Sequence, residues 1–391
     1  MINSEMDVNP GETQRVEFSG KAGEWFGIWI VNLLLSIVTL GIYSAWAKVR
    51  TKKYFYNNTS VAGRNFDYHA TGKQILIGRI IVVIGFIAFS LLSAVPVVNI
   101  IVFLGFFAAL PWLIVKSLQF NARMSSFSNV RFNFTGKMGG AFMTYVLLPL
   151  GLYILVGVVG AGGVYLAVQS SSVLLGVLTA VAVLAVIFFA LPYVDRAIKR
   201  FVINHHRLGK AAFQFDAGLS PFVKALGLAL AWIVVVLVLS VVFFGASFAA
   251  LGDMFLALDA GGEPTVGQLS LIGLAYLLFF VAFLPAGFIY QALTRNIMYD
   301  NTQLEGGHRF RSTVKVAPLM WIAVSNAFVV VLSLGLMLPW SQIRMQAYLA
   351  SQTFVIPGAS LDDFIGEQQA ASGAIGDAYG DLEGVDFGVG L

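Results

Sequence analysis

Polar and apolar positions fall in long blocks along this chain, not in the short periods of amphipathic soluble elements. Apolar runs cover about 25–47, 75–95, 97–115, 141–168, 173–194, 222–250, 269–293 and 316–338. A helix needs about 20 mostly apolar residues to cross a bilayer, so each run predicts a membrane helix and successive runs predict helical hairpins. Residues 1–24 are polar and acidic. They do not read as a cleavable signal peptide, which would put a basic segment ahead of a short apolar core.

The blocks between the runs differ in charge. Segments 48–79, 116–137, 196–224 and 295–315 carry seven, four, six and four Lys or Arg; the connections 96–99, 169–172 and 251–268 carry none. Cytoplasmic loops concentrate Lys and Arg, which orients the four basic segments toward the cytoplasm.

Short patterns recur at the run boundaries. Val16-Glu17-Phe18-Ser19-Gly20-Lys21 has relatives in Phe66-Asp67-Tyr68 with Thr71-Gly72-Lys73, in Phe132-Asn133-Phe134-Thr135-Gly136-Lys137, in Phe213-Gln214-Phe215 and in Phe310-Arg311-Ser312. Closing patterns recur as Ala45-Trp46, Pro111-Trp112, Pro192-Tyr193, Leu284-Pro285 and Pro339-Trp340. The chain thus reads as five units starting near 16, 66, 132, 213 and 310. The middle three hold enough apolar sequence for two spans each. The first and last enclose only 26 residues between Lys21 and Lys48 and 28 between Lys315 and Arg344, whereas two spans need about 40. Asn32, Gly41, Trp46 and Arg50 match Asn326, Gly335, Trp340 and Arg344 at identical spacing. Two topologies follow: single tilted spans, favoured by length, or re-entrant hairpins that return to the cytoplasmic side, which protein or water must cover at depth. The expected class is an all-α polytopic membrane protein of about eight hydrophobic helices in hairpin repeats, with the first and last flagged as re-entrant candidates.

Composition agrees. Of 391 residues, 58% are hydrophobic and 11% charged, against roughly 25% charged in an average soluble domain. The absence of Cys excludes disulfides, thiolate metal sites and a Cys nucleophile. Net charge is +4, yet residues 351–391 hold seven acids and no base. Three regions are expected: a polar N-terminal tail over 1–15, a repeat-built transmembrane domain over 16–357, and an acidic, Gly-rich disordered tail over 358–391, whose composition cannot repay ordering entropy.

Phe26-Gly27-Ile28-Trp29, the stretch Leu40–Arg50, Tyr54-Phe55-Tyr56-Asn57-Asn58-Thr59 and Phe66–Lys73 resemble the bacterial YjgN-like inner-membrane family of unknown function. The likeness is dense over about 16–90 and then rests on repeat and hydropathy pattern. It implies a multi-pass protein of the bacterial inner membrane and carries no reaction, substrate or catalytic residue.

Chemistry-bearing motifs are scarce. His69, His205, His206 and His308 have no metal-ligand spacing, and no nucleophile elbow, phosphate-cradling loop or zincin motif occurs. No enzyme activity, cofactor or metal is expected, and no nucleic-acid partner. Two candidate sets stand out. Lys48, Arg50, Lys52, Lys53, Lys116, Lys199, Arg200, Arg295 and Arg344 follow the runs among aromatics, a pattern suited to lipid headgroups. Asn32, Thr39, Asn326 and Ser333 form a candidate intramembrane polar site, with interhelical bonding as the ordinary alternative. Arg79 reads as a snorkelling interface residue. Gly157, Gly160, Gly162 and Gly163 read as a close-packing face. The functional reading is a channel or facilitator-type transporter; the alternative is a non-catalytic membrane-organising or anionic-lipid-binding protein. The bilayer and its anionic lipids are the expected partners, with a homo-oligomer as a further option.

Overall fold

The computed structural model describes residues 12–259, 263 and 265–379. Its centre corrects the all-α expectation: ten short strands form a closed antiparallel barrel in which neighbours in sequence are neighbours in the sheet. The strands hold only three to five residues each. Periodicity separates strands from helices reliably only over longer stretches, so these were absorbed into the polar boundaries of the apolar runs.

Five segments build the barrel, each a strand, a helical hairpin and a second strand. The first is β1 (Gln14–Phe18), α1 (Ala22–Val38), α2 (Ser44–Asn57) and β2 (Thr59–Val61). The second is β3 (Arg64–Tyr68), α3 (Gly72–Leu92), α4 (Pro96–Arg123) and β4 (Ser125–Phe127). The third runs β5 (Val130–Phe134), α5 (Met138–Phe142), a π-helical turn at Met143–Leu147, α6 (Leu148–Gln169), α7 (Val173–Asn204) and β6 (His206–Leu208). The fourth is β7 (Ala211–Phe215), α8 (Leu219–Asp259), α9 (Val266–Asp300) and β8 (Thr302–Leu304). The fifth is β9 (His308–Ser312), α10 (Val316–Leu332), α11 (Leu338–Ser351) and β10 (Thr353–Ile356), and α12 (Leu361–Tyr379) follows. Because each helical hairpin joins two adjacent antiparallel strands, all five leave the same rim. Tight turns occupy the other rim. Those at Ala62-Gly63 and Ser128-Asn129 have positive φ at both central residues, the geometry that matches the twist of a two-residue β-hairpin.

The same bonds close every segment at the helix rim. The first residue of each short strand turns its side chain back to the carbonyl four residues earlier: Thr59 Oγ1 to Phe55, Ser125 Oγ to Asn121, His206 Nδ1 to Val202, Thr302 Oγ1 to Met298 and Thr353 Oγ1 to Leu349, all within 2.6–2.8 Å. The residue after each long strand donates its backbone N–H to the carbonyl at the helix end, as in His69 to Met124 at 2.7 Å and Thr135 to His205 at 2.8 Å. These bonds satisfy helix-end carbonyls that otherwise lack partners.

Five helices among the described residues are long and apolar enough to cross a membrane: Gly72–Leu92, Val98–Arg123, Met138–Gln169, Val173–Asn204 and Leu219–Leu239. They expose most of their apolar side chains outward, as lipid-facing helices do. Close packing is local: a Cβ on Gly163 would fall 2.2 Å from Thr179 Oγ1, so that glycine brings α6 against α7.

The first and last hairpins are shorter. α1 has 17 residues, about 25 Å of helix, and then turns back on itself. Leu40 (φ 50) and Gly41 (φ 89) make this turn, and Leu334 (φ 50) and Gly335 (φ 90) repeat it. Gly41 N–H bonds Ser36 O at 2.7 Å and Leu40 N–H bonds Ile37 O at 3.1 Å; Gly335 and Leu334 bond Val330 and Val331 in the same way. This is the paired capping of a Schellman motif. Both short units therefore leave and return at the helix rim, in place of the single spans that run length favoured. Their tips are apolar, with Leu40 and Leu334 each 94% exposed, and hydrocarbon is the only environment in which that exposure costs nothing.

The acidic tail, expected to be disordered from 358, begins instead with α12. Leu361, Phe364 and Ile365 stand at i, i+3 and i+4, one helix face. Phe364 and Ile365 are buried in the barrel core with Val61, Phe127, Val130, Leu208, Ala211 and Leu304, and Leu361 is buried beside them at the lumen. Composition over the whole tail hid this short face. Residues 380–391 lie outside the described residues, as do 1–11 of the N-terminal tail.

Candidate functional site

The barrel axis is the one place where all five segments converge. Five cross-strand pairs face one another around it: Val16 with Val61, Phe66 with Phe127, Phe132 with Leu208, Phe213 with Leu304 and Phe310 with Val355. All ten side chains belong to one apolar cluster. Phe66, Phe132, Phe213 and Phe310 come from corresponding positions on successive long strands, with ring centroids 5.9–6.5 Å apart. They leave a lumen of about 80 Å³ lined by apolar side chains and His308.

α12 covers the turn rim. Phe364 and Leu361 line the lumen. Asp362 pairs with the Arg64 guanidinium. Gln368 Oε1 accepts from Lys210 N at 2.9 Å, and Gln369 Nε2 donates to Ser128 O at 2.8 Å. The His308 ring lies 4.4 Å from that of Phe364. Its Nδ1 accepts from Gly358 N at 3.4 Å, and burial holds its pKa below the ordinary histidine value.

The helix rim opens into a vestibule of about 500 Å³, lined by Phe55, Tyr56, Leu118, Asn121, Ser125, His206 and Gln346 above Phe66 and Phe132. Lys52 Nζ donates to Asn121 Oδ1 at 2.6 Å and sits 4.7 Å over the Tyr68 ring. Burial, with Tyr56 nearby, pushes the Tyr68 phenol up to about 12. Burial also lowers the His206 pKa. The vestibule wall carries no carboxylate among the described residues.

The basic candidates separate into distinct settings. Lys52 serves the vestibule. Lys199 pairs with Asp195, whose other oxygen accepts from the Tyr290 hydroxyl at 2.9 Å. Arg295 donates to Thr353 Oγ1 at 3.0 Å and stacks on Tyr299. Arg344 donates to Ser325 and Asn326 and stacks on Trp340. Lys48 is half-buried, while Arg50, Lys53, Lys116 and Arg200 are exposed. Arg79 donates to Ser44 Oγ.

The polar candidates do not converge either. Thr39 Oγ1 accepts from Tyr43 N at 2.9 Å, and Ser333 Oγ from Met337 N at 3.0 Å, so both hydroxyls brace the hairpin turns. Asn32 and Asn326 are buried in separate hairpins. No group of three or more His, Asp or Glu side chains is placed to hold a metal among the described residues. Sequence reading missed the vestibule residues Tyr56, Asn121 and Gln346, which carry no pattern. The Phe positions of the lumen were visible as a recurring triplet, without a sign that they shared one axis.

The family model for bacterial proteins of unknown function (DUF898) matches residues 13–382. The chain belongs to this family. It is 28% identical over 373 residues to the inner membrane protein YjgN of Salmonella typhimurium strain LT2, covering 90% of this chain and 91% of that protein. Inner membrane proteins YjgN of Escherichia coli O157:H7 and K12 are 33% and 34% identical over 162 residues, 40% of this chain and 39% of theirs. No solved structure matches. The protein is thus a multi-pass protein of the bacterial inner membrane.

Proposed function

We propose that the protein is a gated facilitator for small polar solutes, built from five copies of one strand–hairpin–strand unit, with the barrel as its gate. The observation that carries this reading is the single axis on which a vestibule with polar groups narrows to a dry, Phe-lined lumen stoppered by α12. Hydrophobic constrictions block passage by excluding water. Removal of α12 would widen the lumen by three buried side chains. Every basic connection joins the barrel side, so the positive-inside rule supports a cytoplasmic barrel and stopper.

Lys52, bonded to Asn121 of the vestibule wall, favours anionic over cationic solutes, and the absence of a carboxylate relay among the described residues supports facilitated passage without proton coupling. The test is flux into proteoliposomes. The full chain and a chain ending at Gly358 are compared over a panel of small anions, cations and neutral solutes. Faster anion or neutral-solute flux in the shortened protein supports the reading. Equal, background-level flux for every solute rejects it.

A second reading, binding of anionic lipid, is favoured by a different feature, the groove between α1 and α2.

A further inference from the structure

The hairpins α1–α2 and α10–α11 superpose position by position in sequence, with Lys21, Asn32, Gly41, Trp46, Arg50 and Tyr54 answering to Lys315, Asn326, Gly335, Trp340, Arg344 and Tyr348. Local bonds agree. Tyr54 OH accepts from Lys21 N at 2.8 Å and donates to Lys21 O at 3.0 Å; Tyr348 does the same with Lys315 at 3.0 and 3.1 Å. Against this common frame three substitutions change the outer face. Trp321 stands where the first hairpin has Gly27, Ser325 where it has Val31, and Ala347 where it has Lys53.

The consequences concern charge. In α10–α11 the Arg344 guanidinium turns inward, donating to Ser325 Oγ at 2.6 Å and Asn326 Oδ1 at 3.1 Å. Val31 offers Arg50 no acceptor. Arg50 is exposed instead, and with Lys53, Tyr54 and Asn57 it lines a groove of about 720 Å³ whose other wall is Gly23, Gly27, Ile28 and Val31. A Cβ on Gly23 or Gly27 would meet no atom within 4 Å, so glycine here keeps the wall low. Glu24 also lines the groove, but its carboxylate is engaged by Lys21 at 3.4 Å and by the Tyr54 hydroxyl at 3.4 Å. Arg50 and Lys53 thus present cationic heads with no ion pair among the described residues.

We infer that this groove is a binding site for one anionic glycerophospholipid of the leaflet on the barrel side. Arg50 and Lys53 would take the phosphate, Tyr54 and Asn57 the glycerol or headgroup hydroxyls, and the acyl chains would run along Gly27, Ile28 and Val31. Two cations at one end and an apolar wall at the other fit an amphiphile. The wall continues into exposed Leu34, Leu35 and Val38 toward the apolar tip, a surface that only lipid covers without cost. The volume is within the range of small-molecule sites, and Arg forms bidentate bonds with phosphate where Lys acts as a point charge. This site lies outside the barrel axis, so it stands independently of the gated passage.

The experiment is native mass spectrometry of the detergent-purified full chain titrated with phosphatidylglycerol, with phosphatidylcholine as the neutral comparison. Four proteins are compared: wild type, Arg50→Gln/Lys53→Gln, Gly27→Trp and Lys116→Gln. Lys116 is an exposed cation at the position in α4 that corresponds to Arg50, so it reports general charge attraction. Each variant is first required to elute as the wild-type species in size exclusion. The expected result is at least tenfold weaker retention of the first phosphatidylglycerol in the double variant and in Gly27→Trp, with Lys116→Gln unchanged. Unchanged retention in both groove variants overturns the proposal, as does an equal loss in Lys116→Gln. Displacement of the lipid by soluble glycerol 3-phosphate at equal concentration also overturns it, because the ligand would then be a soluble phosphate.

Discussion

Arg344 Nη1 donates to Asn326 Oδ1 at 3.1 Å, while the corresponding Asn32 is buried with neither side-chain polar atom hydrogen-bonded among the described residues. Asn326 also donates to Ser341 O at 3.0 Å. The two asparagines are comparably buried, 5% and 7% exposed, so partner count alone separates them. Removing a bonded buried amide leaves its partners unpaired and costs about 1–3 kcal/mol, whereas removing an orphaned one relieves a desolvation penalty. Asn326→Leu is therefore expected to destabilise by that amount and Asn32→Leu to be neutral or stabilising. Reversible denaturation in mixed micelles measures both. Equal losses would show that Asn32 has a partner of its own.

The hairpin geometry makes a labelling prediction. The chain has no native Cys, so single probes need no background removal. Ser171, at the turn between α6 and α7, is at the end far from the barrel; Ser128 is in a barrel turn; Leu40 and Leu334 are the apolar tips. Ser171→Cys should react with an impermeant maleimide in intact spheroplasts and Ser128→Cys only after lysis. Leu40→Cys and Leu334→Cys should resist on both sides until the membrane is dissolved. Reaction of Leu40→Cys from outside would mean that α1 crosses the bilayer and that the closed barrel is wrong.

The legibility of this fold depended on element length. The long apolar helices were plain because each supplies about 20 consecutive positions with one character. The strands were not, because three residues such as Ser125–Phe127 give no measurable alternation. Their clue was the recurrence of Phe66, Phe132, Phe213 and Phe310 ahead of the runs. A triplet marks a boundary without saying that five boundaries meet. Length misled at α1 and α10 because one tilted span and a folded hairpin need similar numbers of apolar residues; Gly41 and Gly335 held the answer, as the positions closing each turn with φ near 90°. The headgroup set was chosen by charge and mixed three environments: vestibule, internal pairing and open groove. Only tertiary placement separates Lys52 from Lys53.

The stopper should be held chiefly by Phe364. Its ring lines the lumen and packs on His308. Truncating a buried Phe to Ala costs about 3–5 kcal/mol in cores. The Arg64–Asp362 pair is partly solvent-exposed and belongs with pairs worth about 0–1 kcal/mol. Phe364→Ala should therefore raise amide exchange over 361–370 by more than tenfold, and Asp362→Asn by less. The reverse order would mean that charge, not burial, docks α12.

Acid should loosen the same contact. His308 is 1% exposed and its Nε2 has no partner among the described residues, so the docked state favours neutral imidazole and burial lowers the pKa from 6.5. When α12 leaves, the ring meets water and recovers an ordinary value near 6.5. Above that pH both states are neutral and docking is unaffected. As pH falls below it, the open state binds a proton that the docked state refuses, and docking weakens until the lowered pKa is reached. The slope in that window is at most about 1.4 kcal/mol per pH unit. The charges on the docked face are Arg64 and Asp362, which pair with each other. Exchange of the 361–370 amides, corrected for intrinsic rates, should therefore quicken between pH 7.5 and pH 5.5 in wild type. His308→Leu, which keeps the apolar contact with Phe364, should abolish the change. Persistence of the acid effect in His308→Leu would assign it to another group, and its absence in wild type would mean that His308 stays equally buried with α12 docked or displaced.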